Sequence, residues 1–134
     1  MDKEQIIESW LRKANHDLGM AKLALESGAE FTDSICFHCQ QYVEKMLKAY
    51  LISKDIIFIK THSLSYLVDL IAEQEIVSEE IYRISESLES YAVLVRYPAD
   101  GYEPTHEDAK EAYLNAIRVQ EIFQQFKNDH GPES

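Results

Sequence analysis

Apolar residues recur at helical spacing along most of the chain, and this pattern predicts five helices. The predicted spans, in chain order, are 3–27, 32–53, 63–73, 78–97 and 105–126. Gly28 is a natural stop for the first helix. Pro98 ends the fourth helix, because a residue before proline avoids the helical region. Thr105 is expected to cap the fifth helix.

The fourth and fifth helices carry apolar residues at alternating steps of three and four, which is the spacing of a bundle seam. These seams are Ile81, Ile84, Leu88, Tyr91 and Val95, and Ala109, Ala112, Ala116, Val119, Phe123 and Phe126. The fold class is therefore all-α. We expect one domain over residues 1–128 and a disordered tail over 129–134, and we expect the first and fifth helices to contribute most to holding the bundle together.

The second helix has an apolar face and an opposite polar arc. The polar arc consists of Gln40, Gln41, Glu44, Lys45 and Lys48. One interpretation is a solvent-exposed face on which Glu44 and Lys48, four residues apart, form an ion pair. The other interpretation is a surface that binds an anion or a base. The pattern alone favours the solvent-exposed face.

An apolar run, Ile56 to Ile59, separates the second helix from the third. A single strand would have no partner in a helical chain. We therefore expect this run to be a loop inserted into the core.

The chain is strongly acidic, with 24 Asp and Glu against 13 Lys and Arg and a net charge of −11. This charge opposes non-specific nucleic-acid binding, which depends on neutralising phosphates with Lys and Arg. A nucleotide or RNA site therefore needs a local basic cluster. No apolar run approaches the roughly 20 residues that span a bilayer, and the charged N-terminus does not resemble a signal peptide. We expect a cytoplasmic protein without membrane contact.

Cys36 and Cys39 have the spacing of a CxxC motif, but they fall on the apolar face of a predicted helix. A structural role as small apolar residues is favoured there. The five histidines form no two-ligand spacing such as HExxH, so neither a metal site nor another cofactor is expected.

Three residues outside the second helix are candidates for chemistry. Arg96 precedes the Tyr97–Pro98 step at the end of the fourth helix, where a guanidinium could bind phosphate or simply complement the helix end. His62 lies just before the third helix. His106 lies in the first turn of the fifth helix, where a neutral imidazole is favoured and could act as a general base.

An ordered set of residues from Trp10 to about Phe123 resembles the HEPN domain (higher eukaryotes and prokaryotes nucleotide-binding). The set comprises Trp10, Ala14, Asp17, Leu18, Phe37, Gln40, Gln41, Glu44, Lys45, Leu47, Lys48, Ala49, Thr61, His62, Ser63, Leu64, Leu67, Tyr91, Arg96, Tyr97, Pro98, Ala109 and Ala116. The resemblance implies an up-and-down four-helix bundle with a short fifth helix, usually paired as a homodimer. It also implies partnership with a minimal nucleotidyltransferase.

A second branch of the HEPN family consists of metal-independent ribonucleases, often toxins, in which an Arg is followed four to six residues later by a His. Arg96 occupies the position of that Arg, but the next histidine is His106, ten residues further on and beyond two prolines. The sequence therefore favours a protein without this activity.

We thus expect a non-catalytic module in a toxin–antitoxin-like pair that forms a homodimer and binds a nucleotide or partners a nucleotidyltransferase. Its expected binding residues are Gln41, Glu44, Lys45, Lys48, His62, Arg96 and Tyr97, with Lys48 and Arg96 facing a common hollow. One alternative is a ribonuclease that uses Arg96 and His106. The other is a protein-interaction adaptor, for which the acidic composition suits a basic partner.

Overall fold

The structure is a computed structural model that describes residues 1–28, 30–96 and 103–131, and over 92–96 it describes the backbone alone. These residues form six helices, and the all-α fold class is confirmed. The helices are α1 (Lys3–Glu26), α2 (Thr32–Ser53), α3 (Leu64–Ala72), α4 (Glu79–Arg96), α5 (His106–Ile122) and α6 (Gln124–His130).

Side-chain caps fix where several helices begin. Asp2 and Gln5 form a reciprocal capping box at the start of α1, and the Ser63 hydroxyl accepts from a backbone N–H of α3. Thr105 caps α5, as predicted, in a capping box with Asp108. The hydrogen bond that the Thr105 backbone N–H donates holds the pKa of Asp108 below its usual value.

The four long helices run alternately up and down. Lys3 near the start of α1 pairs with Asp55 just after α2, so these helices are antiparallel. Tyr50, near the end of α2, donates to Glu75 before α4, so α4 runs antiparallel to α2. The Tyr50 ring also contacts Phe123 at the end of α5, which makes α5 parallel to α2.

The second helix, rather than the first and fifth, is the centre of the bundle. It packs against α1, α3, α4 and α5, and its contact with α1 is the most extensive in the molecule. The buried alanines Ala109, Ala112 and Ala116 allow α5 to approach it closely. Our expectation that the first and fifth helices dominate is wrong because a helix surrounded by four others buries more of its surface.

The last predicted helix is divided in two. Helix α5 ends at Ile122, and α6 begins at Gln124 after the single residue Phe123, whose backbone is not helical. Asp129 and His130, which were assigned to a tail, belong to α6, and the His130 ring lies 3.1 Å from a carboxylate oxygen of Glu4. Residues 132–134 of that predicted tail lie outside the described residues.

The connector between α2 and α3 enters the core with only half of its apolar run. Ile56 and Phe58 pack against the core, whereas Ile57 and Ile59 are exposed. Successive side chains of an extended backbone point to opposite sides, which explains the alternation. No helix in the described part of the chain is both long enough and apolar enough to cross a membrane.

Candidate functional site: a polar seam between α1 and α2

The polar arc predicted to face solvent is instead largely buried. Gln40, Gln41, Glu44 and Lys48 are all buried, and the side chain of Lys45 is only 21% exposed. The solvent-exposed interpretation is therefore wrong. Helix α2 has neighbours on nearly every side, so its polar arc faces α1 and the connector rather than water.

Glu44 is the centre of the larger group of polar contacts. Its Oε2 accepts from the Lys48 ammonium at 3.1 Å, which confirms the expected ion pair. Its Oε1 lies 2.9 Å from Nδ1 of His62 and 3.3 Å from Nε2 of Gln40. Gln41 donates to the Gln40 side chain at 2.7 Å. A buried carboxylate is stabilised only when several donors surround it, and this one has them.

Lys48 also fixes the connector. Its ammonium donates to the backbone carbonyl of Thr61 at 2.8 Å, and Gln40 donates to the carbonyl of His62 at 3.1 Å. The ammonium lies 5.5 Å from the centre of the Trp10 ring and 5.9 Å from that of Phe58, within range of cation–π attraction. Lys48 is thus bonded within the molecule and does not project into solvent.

A second group of polar contacts is centred on Asp17 of α1, and of its members Lys45 was a predicted site residue, whereas Asp17 and His38 were not. Asp17 is buried and its carboxylate lies 2.8 Å from Nδ1 of His38 and 2.5 Å from the Lys45 ammonium. A signal for it exists in the sequence, because Asp17 interrupts the apolar stripe that includes Ala14, Leu18 and Ala21. A carboxylate on an apolar face needs a buried cation nearby.

The two groups lie along one side of α2 and share one arrangement, in which a carboxylate binds a lysine and Nδ1 of a histidine. The Glu44 group adds two glutamines, and together we call the groups the polar seam (Asp17, His38, Gln40, Gln41, Glu44, Lys45, Lys48 and His62). Buried ion pairs contribute little net stability compared with apolar residues of the same volume. Stability alone therefore does not account for the polar seam.

The histidines of the polar seam present one nitrogen to the outside. Because Nδ1 of His62 lies 2.9 Å from the Glu44 carboxylate, Nδ1 carries a hydrogen, and Nε2 is the ring nitrogen left to meet a ligand. The His62 side chain is 55% exposed, while that of His38 is 25% exposed. His62 is accordingly the most accessible member of the Glu44 group.

Arg96 and His106 lie at the end of the bundle where α2 begins, away from Lys48. Arg96 is the last residue of α4, its side chain is outside the described part, and Tyr97 lies outside the described residues. His106 is exposed at the first position of α5.

Lys48 and Arg96 occupy different levels of one chain. The Asp108 carboxylate, near the start of α5, accepts from the Tyr91 hydroxyl of α4 and helps to raise the pKa of Cys36 in α2. Cys36 is 12 residues, or about 18 Å, from Lys48 along α2. A hollow shared by Lys48 and Arg96 would therefore need a second copy of the chain, and it stays a prediction.

Cys36 and Cys39 are free, buried thiols. Burial, with smaller contributions from Asp108 and Asp33, raises the pKa of Cys36 to about 12, and burial likewise raises that of Cys39. Thiols with such pKa values are protonated near neutral pH and react slowly. Among the described residues, no group of three or more His, Cys, Asp or Glu side chains could hold a metal ion.

The HEPN domain family profile matches residues 7–126. This chain belongs to the HEPN family. Over 132 residues it is 34% identical to a Methanocaldococcus jannaschii protein named "Putative toxin MJ1304", covering 87% of this chain and 85% of that protein. It is also similar to the crystal structure of ST0689, an archaeal HEPN homologue, with a TM-score of 0.70 and 28% identity over 89% of this chain and 95% of that one.

The HEPN resemblance drawn from scattered residues is thus confirmed over most of the chain. Both the Asp17 group and the Glu44 group lie inside the matched range. The polar seam is therefore part of the HEPN domain of this protein and not of an added segment.

Replacing Lys48 with alanine should destabilise this HEPN domain strongly. The substitution leaves the Glu44 carboxylate buried without its ammonium, and breaking a buried pair in this way costs about 3–5 kcal/mol of the free energy of unfolding. Urea denaturation followed by circular dichroism measures the change.

The exposed Lys110 of α5 provides the matched control, and Lys110→Ala should change the free energy of unfolding by less than about 0.5 kcal/mol. The double variant Glu44→Gln with Lys48→Met removes both charges and should recover most of the loss. A cost below about 1 kcal/mol for Lys48→Ala would show that water reaches Glu44 freely.

Proposed function

We propose that this HEPN protein is the toxin-like member of a toxin–antitoxin-type pair, that a nucleotidyltransferase is its partner, and that it binds a nucleotide or RNA without catalysing a reaction. In this proposal it acts as a homodimer. The observation that carries the binding site is the Glu44 group, in which a buried carboxylate holds a buried lysine and an outward-facing histidine.

The similarity to a protein named as a toxin supports the first part of the proposal. The match extends over 87% of this chain and 85% of that protein, so it concerns the whole domain rather than one helix. The composition supports the other parts of the proposal, the partner and the binding site. A chain with a net charge of −11 needs a local site or a partner to hold an anionic ligand.

The polar seam supplies such a site through its accessible groups. His62 and Lys45 are the members with exposed surface, and the amide of Gln41, which is itself buried, lies one turn before Lys45 on α2. The donors of Lys48 are directed at Glu44 and at the Thr61 carbonyl, so Lys48 would orient His62 rather than meet the ligand first. Arg96 and Tyr97 of a second copy would complete the site.

Calorimetric titration with ATP, GTP and a short RNA tests the ligand part of the proposal. We expect heat from at least one of them, and we expect His62→Gln to weaken that binding by roughly 10- to 100-fold, as loss of a hydrogen bond to a charged phosphate does. Glutamine keeps a donor for Glu44 and so preserves the fold. His16→Gln, on the exposed side of α1, is the matched control and should bind as the wild type does.

The absence of heat with all three ligands would contradict the proposed nucleotide site. Equal weakening by His62→Gln and His16→Gln would contradict the placement of that site on the polar seam.

Expression in a bacterial host tests the toxin-like role and the partner. We expect induction of this protein alone to slow growth, and co-expression of a nucleotidyltransferase encoded beside its gene to restore growth and to co-purify with it. Growth curves and size-exclusion chromatography provide the measurements. Unaffected growth together with separate elution of the two proteins would contradict the pair.

Ribonuclease activity is the second candidate, and one contact favours it. The Tyr91 hydroxyl donates to Asp108 at 3.2 Å and thereby joins the last part of α4 to the first turn of α5. Arg96 is five residues beyond Tyr91, and His106 is two residues before Asp108. A guanidinium and an imidazole at neighbouring helix ends could stabilise a phosphate and accept a proton from a 2′-hydroxyl.

RNA cleavage without added metal distinguishes the two candidates. If Arg96 and His106 form a catalytic pair, Arg96→Ala and His106→Ala should each reduce the rate by about 10²- to 10⁴-fold, while His16→Ala leaves it unchanged. Gel analysis of a labelled RNA gives the rates. Such cleavage would refute the non-catalytic proposal, and cleavage indifferent to His106→Ala would refute the pairing.

A further inference from the structure

The outer face of α1 has a different chemical character from the rest of this acidic molecule. Its exposed residues recur at helical spacing on the side away from α2. From the middle of the helix towards its end they are Arg12, Lys13, His16, Gly19, Met20, Lys22 and Leu23, which we call the outer α1 face.

Between residues 9 and 25 the charges on this face are all positive, and a carboxylate flanks them at each end, Glu8 one turn before Arg12 and Glu26 one turn after Lys22. Between residues 9 and 25 the only carboxylate is Asp17, which is buried in the polar seam. Within the described part of the chain, Arg12 and Lys13 have no carboxylate within 4.0 Å, and Lys22 contacts Glu26 only at 4.0 Å with both side chains exposed. An exposed pair of that geometry is weak, so these cations are available to a partner.

The same face also carries two exposed apolar side chains. Met20 is 50% exposed and Leu23 is 64% exposed. A Cβ atom built on Gly19 would meet nothing within 4 Å, so another backbone could approach α1 closely at this point. The cations at 12 and 13 lie seven to eleven residues before the two apolar side chains, a separation of roughly 10–17 Å along the helix.

We propose that the outer α1 face binds an acidic amphipathic helix of a partner protein. The partner helix would place one or two leucine-like side chains on Met20 and Leu23, and carboxylates two to three turns away against Arg12 and Lys13. Complementary charge fixes the orientation of the partner helix, and the open space at Gly19 lets its backbone approach α1 closely.

A protein helix suits this face better than RNA does. The exposed Met20 and Leu23 side chains occupy part of it, and they offer nothing to a phosphate backbone. Three cations in a chain of net charge −11 are too few to neutralise a run of phosphates. Arg12 and Lys13 make none of the hydrogen bonds of the polar seam, so this proposal does not depend on the proposed nucleotide site.

A synthetic helical peptide provides the test. The probe is an 18-residue peptide of helix-forming residues with two leucines three residues apart and three glutamates two to three turns away. Trp10 is the only tryptophan and lies on α1, so its fluorescence, together with amide chemical shifts, reports binding. We expect saturable binding, with shifts centred on α1.

Reversal of charge on both partners makes the test specific. The double variant Arg12→Glu with Lys13→Glu should bind the peptide at least about tenfold more weakly, and a peptide with lysines in place of the glutamates should restore binding to that variant. Met20→Glu should weaken binding by a similar factor. Lys110→Glu, on α5, is the matched control and should have no effect.

Three outcomes would overturn the proposal. One is the absence of binding at about 1 mM peptide, the concentration of a very weak complex. Another is binding that the charge reversal leaves unchanged. The third is displacement of the peptide by a short RNA that shifts the same amides, since that would make nucleic acid the occupant of this face.

Discussion

One buried carboxylate, that of Glu44, is shared by several donors and holds together the candidate site of this HEPN domain. Glu44 accepts from a lysine and a glutamine of its own helix and from the ring of His62 in the connector. Because Lys48 and Gln40 also donate to the carbonyls of Thr61 and His62, the connector is held to α2 at its backbone and at a side chain. The start of α3 therefore depends on polar contacts as well as on apolar packing.

This arrangement separates rigidity from accessibility. The buried members fix the positions of their donors because each lone pair or hydrogen inside the bundle needs a partner. Only the ends of the network, above all the His62 ring, reach the surface. A ligand group that meets His62 would encounter an imidazole whose orientation is set before binding, and preorganisation of this kind lowers the cost of binding.

The helical fold follows from the sequence because apolar periodicity and capping residues are local signals. Ile81, Ile84 and Leu88 of the α4 seam are buried and Thr105 caps α5, both as the pattern predicts. The polar seam does not follow, because hydrophobic patterning treats every polar residue as exposed. Whether Glu44 faces water depends on how many helices surround α2, and that is a property of the whole bundle. Asp17 was overlooked for a related reason, since its partners His38 and Lys45 are 21 and 28 residues away.

The net charge of a protein describes its attraction at long range, whereas contact depends on the charges of one face. With a net charge of −11, the whole chain attracts basic partners out to about the screening length of 8–10 Å. On the outer α1 face between residues 9 and 25 the charge is positive, because Asp17, the only carboxylate of these residues, is turned inward to His38 and Lys45. The burial of Asp17 in the polar seam thus has two consequences. It completes a buried network on one side of α1, and on the other side it leaves no carboxylate between Glu8 and Glu26.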